Sequence, residues 1–153
     1  MPYIKQALRP PYDAIANTMI AELVANQAIS DSLIKHLSSV LSAQQFEDID
    51  GCLNYFITKL FKNLALHKKP EKSKVPCALA VEDALLKLFK ELYPQKYFHF
   101  NRAGGVLLWC RKEFERRYGK TFCSTILMNL TDQLYEDPLG PYEDKKIAEN
   151  GDV

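Results

Sequence analysis

Gln44-Gln45-Phe46-Glu47-Asp48-Ile49-Asp50-Gly51-Cys52-Leu53-Asn54-Tyr55-Phe56-Ile57-Thr58-Lys59-Leu60-Phe61-Lys62-Asn63-Leu64 decides the fold class. Its large apolar residues are Phe46, Ile49, Leu53, Phe56, Ile57, Leu60, Phe61 and Leu64. That spacing follows the 3.6-residue period of an α-helix rather than the alternation of a strand. Ser42-Ala43-Gln44-Gln45 has the form of a capping box, so the helix is expected to start there. Gly51 interrupts it at a cost of about 1 kcal/mol relative to Ala, as a close-packing point or a break.

The same periodicity extends in both directions. Upstream, Ile15, Met19, Ile20, Leu23 and Val24 mark a helix to about Gln27, with Asp13 as its expected cap after an extended Pro10-Pro11. Leu33, Ile34, Leu37, Val40 and Leu41 mark another, opened by Ser30-Asp31. Downstream, the polar stretch from His67 to Pro76 reads as a loop. A fourth helix spans about 78–93 and ends at Pro94. A fifth runs from an Asn101 cap to Tyr118, with Gly119 as its C′ residue, and a sixth spans about 121–135. Pro138, Gly140 and Pro141 are expected to break the chain. The segment from Tyr142 to Val153 reads as a polar tail with a short helix ending at Asn150-Gly151. The expectation is an all-α, compact bundle of about six helices: one domain over residues 1–140 and a tail over 141–153.

Composition narrows the function classes. The 153 residues hold 20 basic and 19 acidic side chains, a net charge of +1, so a nucleic acid polymer bound through its phosphates is not expected. Cys52, Cys77, Cys110 and Cys123 form no C-x-x-C pair and read as free apolar thiols. No secretory leader is read ahead of the first helix, and no apolar run reaches the ~18 residues that span a membrane. A cytoplasmic protein with no membrane contact is expected.

Motifs for bond-making chemistry are missing from the linear text. His36, His67 and His99 stand apart, without a carboxylate or second histidine at metal-ligand spacing. Gly104-Gly105 belongs to neither phosphate-loop pattern and reads as a point where two helices approach closely. Neither a cofactor nor a metal is expected, and no catalytic residue is assigned. Glu47, Asp48 and Asp50 are the one dense acidic group near a helix start, explained by favourable charge in a first turn.

Binding is better supported. Asn101, Arg102, Arg116 and Arg117 accompany Tyr97, Phe98, Phe100 and Trp109 on the fifth helix. The arginines offer planar donors to an anion, and a helix start near Asn101 would add free N–H groups. The two ends lie roughly 22 Å apart along a helix, so one small ligand reaches both only between chains. The bland alternative is a solvated face with Glu113 pairing Arg116 or Arg117. Asn54 and Thr58, four residues apart beside Tyr55, are a second polar group, either a helix edge or a pocket lining.

Three stretches resemble a family of short bacterial and phage proteins with no assigned activity. They are Leu53 to Leu60, Asn101 to Leu107 continuing through Glu113-Phe114-Glu115-Arg116-Arg117, and the tail Pro141 to Val153. The tail, P-Y-E-D-K-K-I-A-E-N-G-D-V, carries most of the specificity. Family members run almost directly from the Arg-Arg helix into that tail, whereas here Gly119 to Leu139 intervenes and the N-terminal half is longer. The resemblance implies a shared site and a tail that docks, with Tyr142 and Ile147 as anchors. From these readings comes the expectation of a non-catalytic phage or prophage-type accessory protein. It would sequester a small anionic, nucleotide-like ligand in a pocket between helices or between subunits of a homo-oligomer. The alternatives are a helical adaptor or inhibitor binding a host protein, and a metal-dependent nucleotide hydrolase.

Overall fold

The computed structural model describes residues 4–66 and 74–152, and among them there is no β-strand. After a short 3-10 turn come seven α-helices: α1 (Pro10–Asn26), α2 (Asp31–Ser42), α3 (Phe46–Leu66), α4 (Lys74–Leu92), α5 (Tyr97–Tyr118), α6 (Phe122–Leu134) and α7 (Gly140–Asn150). The all-α bundle read from periodicity is what forms. The expected loop at His67 to Ser73 and the opening Met1-Pro2-Tyr3 lie outside the described residues.

Local signals explain most boundaries. Ser30 Oγ accepts from Leu33 N at the start of α2, and Thr121 with Ser124 forms a reciprocal capping box on α6. Several starts differ from expectation. Pro10 and Pro11 lie inside α1 at its first two positions, where proline's fixed φ suits a helix and its missing N–H costs nothing. Asp13 is therefore a first-turn residue rather than a cap, and it accepts a hydrogen bond from Tyr55 Oη at 2.6 Å. Ser42 ends α2 instead of opening α3. Helix α5 begins at Tyr97, a full turn before Asn101, so no free helix-terminal N–H groups cluster at Asn101.

The helix contacts close into a ring. Helix α1 packs on α3, α3 on α5, α5 on α6, α6 on α4, α4 on α2, and α2 back on α1. A single core fills it, with Tyr12, Phe56, Phe61, Phe89 and Phe114 fully buried, and Phe61 and Phe114 meeting edge to face at 6.2 Å. Val24, expected in the stripe of α1, is exposed. All four cysteines are free and buried. Burial pushes the Cys110 thiol up, and it pushes Cys123 up to about 11. Among the described residues one carboxylate is inside: Glu82 on α4 is 4% exposed and accepts from Asn129 Nδ2 at 3.1 Å and Gln133 Nε2 at 3.4 Å, tying α4 to α6.

Pro138 does not break the chain. Tyr135–Leu139 forms a π turn that takes up the proline, and α7 continues from Gly140, where a Cβ would come within 3.3 Å of the Tyr135 carbonyl oxygen. The Lys90 ammonium pairs with Asp137 beside it. The turn directs α7 back onto the body. Tyr142 packs on Phe100 at 5.4 Å between centroids, and its hydroxyl accepts from Tyr97 N at 3.3 Å. Tyr142 thus makes contact with α5. Ile147, five residues on, lies ~140° around the helix and is exposed.

Phe61→Ala should cost about 3–5 kcal/mol, because the ring's centre has no mobile neighbour to refill the cavity. Urea denaturation followed by circular dichroism measures this, and a loss under ~1 kcal/mol would contradict the packing described.

Candidate functional site

Helices α3 and α5 run parallel, level by level: Asp50 meets Arg102, Asn54 meets Cys110, and Phe61 meets Phe114. Between them opens a cleft of about 540 Å³, lined by Asp50, Gly51 and Asn54 from α3 and by Asn101, Arg102, Gly105, Val106 and Trp109 from α5. The volume suits a small-molecule site. Gly51 supplies no side chain to close the gap. On α5 the cleft residues recur at i, i+3, i+4 and i+7, so one face of the helix forms the wall.

The polar end is tightly organised. Arg102 donates from Nη2 to Asp50 Oδ1 at 2.8 Å and from Nε to Oδ2 at 3.0 Å, a bidentate pair. Tyr93 Oη donates to the same Oδ1 at 2.8 Å. Burial pushes the Tyr93 phenol well up from its ordinary value, and the hydrogen bond to Asp50 adds to that. The Arg102 guanidinium lies 3.9 Å from the centroid of the Phe46 ring. His99 Nδ1 sits 3.2 Å from Arg102 Nη1, and Phe46 stacks on Phe98 at 6.2 Å. Arg102 therefore arrives in the site already bound.

Further along, Asn54 is 5% exposed. Its Oδ1 accepts from Thr58 Oγ1 at 3.4 Å, and its Nδ2 makes no hydrogen bond to another described residue. The opposite wall ends in Trp109, 63% exposed, the single tryptophan of the chain. A largely buried asparagine and an open indole thus share one cleft.

The residues singled out from sequence separate into three places. Asn54, Asn101 and Arg102 come together in the cleft, with Thr58 behind Asn54. Tyr55 faces the α1 seam, bonded to Asp13 and beneath Arg9 at 5.3 Å, so it does not line the cleft. Arg116 and Arg117 lie outside it and clasp Glu113, at 2.7 and 3.0 Å. Chiefly through the Arg116 hydrogen bond, Glu113 falls to about 2. The charge-pair reading of these arginines is the one the structure supports. Asp50 and Trp109 are not among the ligand-binding residues expected from sequence, where Asp50 reads as first-turn charge and Trp109 as an aromatic beside the arginines. Their helical register opposite Arg102 and Asn54 was the available signal, but it needs the α3–α5 pairing to be known.

Gly104 and Gly105 also differ from expectation. A Cβ at either would meet nothing within 4 Å among the described residues, so neither is a point of close helix approach there. They leave bare backbone at the cleft mouth. Among the described residues no group of three or more His, Cys, Asp or Glu is placed to hold a metal. Among the described residues no helix is long and apolar enough to cross a membrane. Comparison with family models, curated proteins and solved structures found no match, so the resemblance rests on the three stretches quoted above.

Arg102→Met should lower stability by about 1–2 kcal/mol, since Asp50 loses two charge-assisted hydrogen bonds. The shift in urea midpoint measures it, and an unchanged midpoint would contradict the pairing. Burial first, then Asp13, raises the Tyr55 phenol from 10.0 to about 12. The unfolded chain ionises first, so stability is full below pH 10 and declines as pH rises towards 12. Tyr55→Phe should flatten that decline in midpoints measured across the alkaline range.

Proposed function

We propose that the chain is a non-catalytic binding protein that sequesters a small nucleotide-like ligand in the α3–α5 cleft. The observation that carries this reading is the pairing of exposed Trp109 with the buried Asn54 amide across a 540 Å³ cleft. A planar heterocycle stacks on an indole face for about 1–3 kcal/mol. Amide groups at Asn54 and Asn101 are the right chemistry to read its polar edge. A phosphate would lie at the Arg102 end, sharing the guanidinium with Asp50 rather than meeting an unpaired cation. Stacking and amide contacts, more than net charge, would then supply the affinity. The phage-type accessory role follows from the resemblance, whose first two stretches contribute Asn54, Asn101 and Arg102.

The adaptor reading draws on the exposed Phe46–Phe98 stack, an aromatic surface suited to a protein partner. The hydrolase reading draws on the acidic group Glu47, Asp48 and Asp50, of which the Asp50 carboxylate is engaged by Arg102 and Tyr93.

Because Trp109 is the sole tryptophan, its fluorescence reports the cleft directly. Mono-, di- and cyclic nucleotides at ~100 times Kd should stabilise the fold by about 2.7 kcal/mol in a thermal-shift assay. The bound ligand should quench or shift the indole emission. Trp109→Ala and Asn54→Leu should each weaken binding at least ~10-fold, the equivalent of 1.4 kcal/mol. Absence of any response across the nucleotide panel would remove the proposal.

A further inference from the structure

The cleft opens onto a face that no part of the described chain covers. On α5, Phe98, Gly105 and Lys112 recur at seven-residue spacing with Asn101 and Trp109 between them. On α3, Glu47, Gly51, Asn54, Thr58 and Lys62 share the matching face. Phe98, Leu108 and Trp109 are all exposed large apolar residues. At the centre stand Gly104 and Gly105, whose missing side chains have no use inside the chain. Two half-buried glycines in a helix interior cost about 1 kcal/mol each relative to Ala, and close approach by another backbone would offset that.

Charge identifies what approaches. The acidic end of the face, with Glu47, lies level with Phe98, because Phe46 stacks on Phe98. The basic end carries Lys112 on α5 and Lys62 on α3, both exposed. Gly105 lies midway between Phe98 and Lys112 in sequence, ~10 Å along the helix from each. A two-fold axis through Gly105 therefore sets the acidic end of one copy on the basic end of another. The face is its own electrostatic complement. The 22 residues of α5 span ~33 Å, so this two-helix face offers roughly 650 Å² per copy, close to the ~800 Å² of a standard interface.

We infer that the chain forms a two-fold homodimer through the α3–α5 face, with antiparallel α5 helices crossing at Gly105. Residues equidistant from the axis then meet. Lys112 of one copy faces Glu47 and the Phe98 ring of the other, and Trp109 lies over the other copy's Asn101. Each cleft is closed by the neighbouring indole, so a bound heterocycle is enclosed rather than left at an open mouth. That last point rests on the ligand reading above; the interface does not.

Analytical ultracentrifugation of the purified chain tests it. The wild type should sediment at twice the 17.5 kDa chain mass. Glu47→Lys and Lys112→Glu should each sediment at the single-chain mass, because each places like charges at both ends of the face. An equimolar mixture of these two variants should return to the doubled mass, since each then opposes the other's reversed charge. Gly105→Arg should also be monomeric while keeping its helical circular dichroism, as the position has room within the chain. A wild type that stays at the chain mass up to ~100 µM, a range that captures weak dimers, overturns the inference. So does a mixture that stays monomeric, a Gly105→Arg dimer, or a host protein that binds this face of a monomeric chain. Tryptophan quenching by nucleotide is read separately, so loss of the dimer and loss of ligand binding are told apart.

Discussion

A closed ring of helices encloses one core, and the rest of this structure depends on the side chains that α3, itself part of the ring, sends into it. From Cys52 to Phe61 nearly every α3 side chain is buried except Tyr55, Thr58 and Lys59. Phe56 and Phe61 reach the centre, and Leu53, Ile57 and Leu60 meet the neighbouring helices. Such a helix must be clasped on several sides, which places α1 and α5 on either side of it. The cleft exists where that filling stops. Gly51 and Asn54 occupy the turns at which a larger apolar residue would have continued the wall of the core. The Asp50–Arg102 pair holds the two helices in register above them, with Tyr93 bracing the carboxylate from the end of α4.

Much of this architecture was legible in the residues. Leu53, Phe56, Ile57, Leu60 and Phe61 announce α3 by spacing, and Ser30 and Thr121 announce the starts of α2 and α6 by side-chain chemistry. What was misread follows one pattern: residues with two permitted roles. Pro10 and Pro11 end helices or begin them, and context decided for beginning. Asn101 caps well in isolation, but with Tyr97 to Phe100 in the helix the Phe98 ring meets Phe46 and the Phe100 ring meets Tyr142. Pro138 breaks an α-helix yet is accommodated in a wider π turn. Local propensity is a weak term, and tertiary burial overrides it where the two compete.

The cleft was half legible for a different reason. Asn54, Asn101 and Arg102 drew notice as polar groups on apolar helices. Asp50 and Trp109 are named without a binding role, since an acidic first-turn residue and an aromatic on a helix each have an ordinary explanation. The cleft emerges from the parallel pairing of α3 with α5, a long-range fact that helical periodicity does not encode. Arg116 and Arg117 show the converse. Their chemistry invites an anion, but Glu113, one turn away, satisfies them locally.

The four cysteines bear on how such a molecule ages. Cys52, Cys77, Cys110 and Cys123 sit behind packed side chains, and burial holds the thiols of Cys110 and Cys123 above the range in which thiolate forms readily. Oxidants therefore reach them by way of transient opening of the bundle, not by diffusion to a waiting nucleophile. The chain's redox lifetime is thus set by its mechanical stability: whatever holds the helices shut also keeps the sulfur reduced.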